Sequence, residues 1–229
     1  IFCISGLAIL ASACVSPLPP EDQRPSFDYA PAGPVMVSVI EDRVRTKDGK
    51  PDDLIGYARS YGIPNHWKLN VFRQKDIPEG ADLGDFLEQR IVEGMTDSGW
   101  SAIAVETDEP VADPDVDQLL SPQRASRLLT IVIKDWHTDV NLNWVGKFRF
   151  DHEAELTVQG PDGTILSKSF KETESVPGDA NDSWPNAILR AFSAQVQEML
   201  DDPEVVSALH AVDSTGEQAT EAAGAVASR

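Results

Sequence analysis

Cysteine is nearly absent. The chain has two, Cys3 and Cys14, both close to its start, so no disulfide framework, zinc finger or CxxC redox pair can be built from them. Positive charge is also scarce, with Lys+Arg 19 against Asp+Glu 38 and a formal net charge of -19. Such a surface repels phosphate backbones, which argues against nucleic acid as a partner. An anionic bilayer repels it equally, so any membrane attachment must come from something other than a basic patch. No Gly-rich phosphate loop and no GxSxG elbow occurs, and no motif calls for a cofactor. No apolar run reaches the roughly 20 residues that a spanning helix needs.

A shorter apolar run is present. Residues 1–13, IFCISGLAILASA, carry no charge and give way abruptly to VSPLPPEDQRP. The run has the length of a secretory h-region, and small residues close it. It opens on Ile1 without Met or a basic n-region, so the expectation is a signal peptide whose beginning is missing. Leu10-Ala11-Ser12-Ala13-Cys14 resembles the lipobox of bacterial lipoproteins, in which the Cys takes a diacylglyceryl thioether and becomes the new N-terminus. Leu stands one place further upstream than that pattern prefers. Two other readings stay open: Ala11-Ser12-Ala13 is also an A-x-A cleavage site, and the run could be an uncleaved anchor. With acylation at Cys14, two or more chains anchor stably without basic help, each buried methylene contributing about 0.8 kcal/mol. Val15 follows the Cys instead of Asp. By resemblance to enterobacterial sorting, this implies the outer membrane, with the body facing the periplasm.

Residues 14–34 hold the lipidated Cys and a Pro-rich stretch, expected to be an extended tether. Residues 35–202 read as a single α+β domain. VMVSVIEDRV (35–44) and LIGYARSYG (54–62) read as a strand pair joined in a hairpin, and KLNVFRQ (68–74) as an edge strand. Leu83, Phe86, Leu87, Ile91 and Met95 then fall on one helical face, with Asp82 and Asp85 at the start and Gly99 at the stop. WSAIAVE (100–106) is a strand and EPVADPDVD (109–117) a loop running into a short helix through Leu119 and Leu120. RLLTIVIKDW (127–136) is the most apolar strand, hence central. In KFRFDHEAELTV (147–158), Phe148, Phe150, His152, Ala154, Leu156 and Val158 face one way and the charged residues the other. GPDG (160–163) is a turn into ILSKSFKETES (165–175). A last helix, capped by Asp182 or Ser183, buries Ile188, Leu189, Phe192, Val196, Met199 and Leu200. A short helix and a disordered tail are expected over 203–229. The fold class is therefore α+β: two layers, a largely antiparallel sheet with two main helices on one face.

Few residues point to chemistry. Asp135, His137 and Asp139 share one face of a strand and are candidate ligands for a metal, giving an alternative reading as a metal-dependent enzyme or a metal or small-ligand binder. The same spacing arises wherever a polar strand end enters a loop. HEAEL (152–156) lacks the second His of a zincin. Glu153 and Glu155 belong to a charged outer face. Asp113, Asp115 and Asp117 mimic the start of a calcium loop, but Gln118 and Arg124 stand where Gly and Glu belong. Trp100 and Trp184 adjoin helix ends and read as core or staple residues. Trp67, Trp136 and Trp144 sit in loop-like stretches and are candidate partner contacts, with burial over the sheet edge the commoner use.

The order EDRV…IGYARSYG (41–62), a helix ending in L…GW (87–100), DW, the pair Trp144 and Gly146, a long alternating strand, a D-G turn and a C-terminal helix resembles the YajG-type uncharacterised lipoproteins of Gram-negative bacteria. In element order it is more distantly similar to LptE-like and transport-auxiliary envelope lipoproteins. The resemblance spans about residues 35–202 and implies outer-membrane attachment, with no catalytic residues to carry over. The acidic 106–126 segment and the tail depart from it. The reading that emerges is a lipid-anchored, non-catalytic binding or accessory subunit of an envelope assembly or transport system. It attaches to the bilayer through acylated Cys14 and works on an envelope protein.

Overall fold

The computed structural model describes residues 16–143, 146–178 and 182–211. Seven strands form one mixed sheet around β5 (Arg127–Asn141). Along one edge of β5 lie β1 (Val35–Glu41), paired with residues 127–133, and β2 (Leu54–Ser60), paired with 138–141, both parallel to it. β4 (Ala102–Ala104) adds to β1 in parallel, and β3 (Ile63–Lys68) adds to β2 antiparallel. The other edge of β5 carries the antiparallel hairpin of β6 (Lys147–Gly160) and β7 (Gly163–Pro177).

The expected hairpin between residues 35–44 and 54–62 does not form. After β1 the chain makes one helical turn, α1 (Val44–Lys47), and continues in the same direction, so β2 extends along the edge that β1 began. A buried arginine fixes this joint. Arg43 Nε donates to both Glu41 carboxylate oxygens at 2.7 and 2.9 Å. Its Nη atoms donate to the carbonyls of Leu54 (2.6 Å), Trp136 (3.2 Å) and Asp52 (2.7 Å). One side chain thus ties the end of β1, the start of β2 and the middle of β5. Burial raises the Glu41 pKa above the usual carboxylate range although Arg43 opposes it.

β2 instead turns back on β3. Tyr61 and Gly62 both have positive φ, 50° and 82°, the signature of a two-residue hairpin turn that twists with its strands. The strand expected at 68–74 therefore lies earlier, and Leu69–Phe72 is a 3-10 turn.

Helix α2 (Leu83–Asp97) opens with a reciprocal capping box: Asp82 accepts from the Asp85 N–H at 2.8 Å and Asp85 from the Asp82 N–H at 3.0 Å. α4 (Trp184–Leu200) starts on Ser183, whose Oγ accepts from the Asn186 N–H, with Pro185 in its first turn. α5 (Pro203–Leu209) is capped by Asp202. The apolar faces of α2, α4 and α5 pack with Val35, Val37, Leu129, Ile131 and the inward face of β6 in one core.

The short helix expected through Leu119 and Leu120 is present, but it begins earlier, inside the stretch expected to be loop. Residues Asp113–Gln123 form an eleven-residue helix, α3, begun by Pro114 in its first turn. Val116 and Leu120, four apart, bury against Met36 and Leu128 on the opposite face of the sheet. The α+β class holds, but helices cover both faces at this end, so the architecture there is three layers deep. This is why residues 127–133 are buried on both sides.

The Pro-rich segment also differs from the expected tether. Its described part, 16–34, lies strapped across α2 and α4. The Leu18 N–H donates to Asn186 Oδ1 (2.8 Å), and Asn186 Nδ2 donates back to the Ser16 carbonyl (2.9 Å). Gln23 Nε2 donates to the Leu18 carbonyl, and buried Arg90 donates to Gln23 Oε1. Phe27 and Tyr29 pack edge-on to one another and meet Trp100. The arm is not extended throughout, since Pro20–Gln23 form a 3-10 turn, and Leu18 and Phe27 supply the apolar face by which it docks.

The arm crosses α2 where a side chain would block it. A Cβ on Gly94 would stand 2.2 Å from the Pro25 carbonyl oxygen. Gly94→Ala is therefore expected to lift the arm while slightly favouring the helix itself. Amide exchange over residues 18–29 should accelerate by about 5- to 150-fold, the range that an overpacking cost of about 1–3 kcal/mol implies, while α2 keeps its protection.

Candidate functional site

Asp135, His137 and Asp139 do share a face, as their spacing requires. A register shift between Ile133 and Asp135 sets which face it is. Before the shift Leu129, Ile131 and Ile133 point into the main core; after it Trp136 and Val140 do. The trio therefore projects from the opposite side. Its members do not converge. Asp139 is paired with Arg59 (2.7 Å) and Asp135 with Arg45 (3.4 Å). The trio does not bring three ligand atoms within reach of one ion; among the described residues another group does. His137 packs edge-on to Tyr57 at 4.9 Å. Burial first, and then the nearby Arg45 charge, push its pKa down to about 4, against the pull of Asp135, Asp139 and Asp151. At neutral pH it is an uncharged, packed imidazole. The geometry supplies no support for metal binding by these three residues.

The carboxylates of β6 follow the same pattern. Glu153 meets Lys171 at 2.6 Å, and Asp151 accepts from Arg149 and from Thr173. In the calcium-loop mimic, Asp113 accepts from Gln159 Nε2 (2.9 Å) and Thr164 Oγ1 (2.6 Å), which holds its pKa below the usual range. It is a brace between α3 and the β6–β7 hairpin.

The tryptophans divide. Trp136 is fully buried between Phe150 and Phe192, so it is core and not a partner contact. Its placement in a loop-like stretch is corrected by the length of β5, which runs to Asn141. Trp67 is half-buried on edge strand β3, packed on the main core. It also lines a cleft of about 370 Å³ with Pro17, Val71, Arg73 and Pro185. Trp100 is buried and Trp184 half-buried, both against the core. Trp144 and Cys14 lie outside the described residues.

Two surfaces were not anticipated. At the tip of the β2–β3 hairpin, Tyr61 is 90% and Ile63 67% exposed. Leu142, whose N–H donates to the Arg59 carbonyl at 2.8 Å, extends this apolar end of the sheet. A Tyr-Gly pair between two alternating runs was the available signal for this turn.

The second is a cleft of about 430 Å³ outside the carboxyl ends of β1 and β4, where Glu41, Asp82, Asp85, Glu88, Glu106 and Asp108 gather. The Val39 N–H donates to Glu88 Oε2 at 3.1 Å. Burial, and then the neighbouring carboxylates, raise the Glu88 pKa to about 7. Between pH 4.5 and about 7 the folded chain holds a proton that the unfolded chain releases, so this group's contribution to stability falls as pH rises. Glu88→Gln keeps the carbonyl acceptor and removes the charge. It should stabilise the chain by about 1–2 kcal/mol at pH 8 and have little effect at pH 5, read by chemical denaturation.

No helix among the described residues is long and apolar enough to cross a membrane. No family model matches the chain, and no curated protein matches it. Solved structures with related outlines include protein XCC0632 from Xanthomonas campestris, described under the family model DUF330. It is 15% identical, with 86% of this chain and 95% of that one covered and a TM-score of 0.45. Lipoprotein GNA1162 from Neisseria meningitidis is 12% identical, with 75% and 100% covered and a TM-score of 0.36. A PelC dodecamer from Paraburkholderia phytofirmans is 12% identical, with 82% and 95% covered and a TM-score of 0.37. None of these three is described as a YajG-type protein. At such identities and scores the likenesses bear on neither the family nor the function of this chain.

Proposed function

We propose that this chain is an envelope lipoprotein, acylated at Cys14, whose domain works by binding a partner and not by catalysis. The observation that carries the reading is the lipobox-like end LASAC, followed within a few residues by an arm docked on the domain. Two residues span at most about 7 Å, so an acyl anchor at Cys14 lies close to Ser16, which accepts from Asn186 at the start of α4. The anchored domain then rests near the bilayer instead of swinging on a leash. Pro17, three residues after the acylated Cys, helps to line the Trp67 cleft, which supports an orientation with that cleft toward the lipid. The hairpin tip of Tyr61 and Ile63 is the surface offered to an envelope protein partner. Val15 after the Cys favours outer-membrane retention with the domain in the periplasm, and the YajG-type resemblance points the same way. The envelope systems in view are lipid or lipopolysaccharide transport, cell-wall synthesis and surface-appendage assembly.

Metabolic labelling with a fatty-acid analogue tests the anchor. The unaltered protein should take up label and pellet with membranes. Cys14→Ser should lose the label, and a Cys14→Ser protein that still labels contradicts the reading. Crosslinking in intact envelopes tests the partner: Tyr61→Asp should lose the captured partner while labelling is unchanged.

A further inference from the structure

His152 is a buried imidazole without a hydrogen bond. Its side chain is 1% exposed, and neither ring nitrogen finds a hydrogen-bond partner, an arrangement that is unfavourable for a buried polar group. It belongs to β6 and faces the main core. The rings of Phe150 (5.1 Å) and Trp136 (5.8 Å) stand beside it. On β7 its cross-strand partner is Glu172, and Glu174 lies two residues further on the same face. His152 Nε2 is 3.4 Å from Glu174 Oε1. One ligand atom from each of His152, Glu172 and Glu174 falls within 4.8 Å of the others, the one such trio among the described residues. Glu174 also forms part of the wall of the groove of about 650 Å³ between β7 and α4.

Two features separate this trio from the Asp135, His137 and Asp139 group. Among the described residues, no lysine or arginine makes an ion pair with Glu172 or Glu174, whereas Arg45 and Arg59 occupy the other carboxylates. The separation also fits coordination: ligands at about 2.1 Å on a tetrahedral ion stand about 3.4 Å apart. We propose that His152 Nε2, Glu172 and Glu174 form a divalent-cation site whose open position faces the groove between β7 and α4. One imidazole with two carboxylates selects a borderline ion of the zinc class. Calcium and magnesium prefer oxygen alone. The aromatic rings wall the imidazole side off from water, and the exposed edge of β7 leaves a path for entry. The site does not depend on Cys14.

The test titrates the metal-stripped full chain with Zn²⁺ and, as a spectroscopic stand-in, Co²⁺. One ion should bind per chain, and Zn²⁺ should move the His152 ring resonances. Loss of an outer-shell partner weakens metal sites about 10–100-fold, so Glu172→Gln with Glu174→Gln should weaken binding more than about 100-fold. Both positions are solvent-facing enough for the fold to survive. A control pair, Glu153→Gln with Glu155→Gln, removes the same charge from the opposite face and should leave binding unchanged. No stoichiometric binding overturns the proposal, as does equal weakening in both pairs, which marks diffuse attraction to an acidic surface. Binding that survives Glu172→Gln with Glu174→Gln overturns it too.

Discussion

Replacing Arg43 with methionine is expected to lower the unfolding free energy by about 3–5 kcal/mol, because it leaves the other half of a buried pair without its counter-charge. The Glu41 side chain is 8% exposed; burial raises its pKa, and the Arg43 guanidinium opposes that rise. The same substitution strands the carbonyls of Asp52, Leu54 and Trp136, which accept from the Arg43 Nη atoms. Adding Glu41→Gln should recover part of the loss, since it removes the orphaned charge and restores nothing else. Urea unfolding of the two single variants and the double variant gives this coupling directly. Amide exchange should locate the damage at Gly56–Arg59, where β2 joins β5, while β6 and β7 stay protected. Additive effects of the two substitutions would show that the pair is not the joint described above.

The second large effect is on pH. With a folded-state pKa of about 4 against 6.5 for the free side chain, His137 stays neutral in the folded chain while the unfolded chain takes up a proton. Stability is therefore lost as pH falls from about 6.5 to about 4 and levels off below that. At about 1.4 kcal/mol per pH unit, the full window corresponds to about 3 kcal/mol. Glu88 works in the opposite sense between 4.5 and about 7, so the profile of the unaltered chain conceals part of each effect. The informative quantity is the difference from His137→Phe, which keeps a ring against Tyr57 but cannot take up a proton. That difference should change by about 2–3 kcal/mol in favour of the variant between pH 7 and pH 4. Parallel profiles for the two proteins would contradict a neutral, buried His137.

What could be read from the sequence follows from how far each signal reaches. The stripes Leu83–Met95 and Ile188–Leu200 and the alternation of residues 147–158 are local periodicities. Each became the expected helix or strand with the expected face buried. Misreadings arose where distant residues decide. The edge of β5 recruits β2 in parallel, which nothing in residues 42–53 announces. Leu18 and Phe27 look incidental in a proline-rich stretch until α2 and α4 provide a surface for them. The helix through Leu119 and Leu120 starts already at Asp113, within the stretch read as loop, because Val116 joins Leu120 in covering Met36 and Leu128 on the second face of the sheet.

The candidate sites divide in the same way. The shared face of Asp135, His137 and Asp139 was legible. The arginines that occupy two of them come from 80 to 90 residues away and were not. The alternation correctly turned His152 inward, but Glu172 and Glu174 come opposite it only through the register of the β6–β7 hairpin.

The proposed function rests on Cys14 bearing fatty chains, and the mass of the mature protein extracted from envelopes measures that directly. A chain that begins at Cys14 with a thioether-linked diacylglyceryl group is the predicted result. A chain recovered from the aqueous fraction with a free Cys14 thiol would contradict the account.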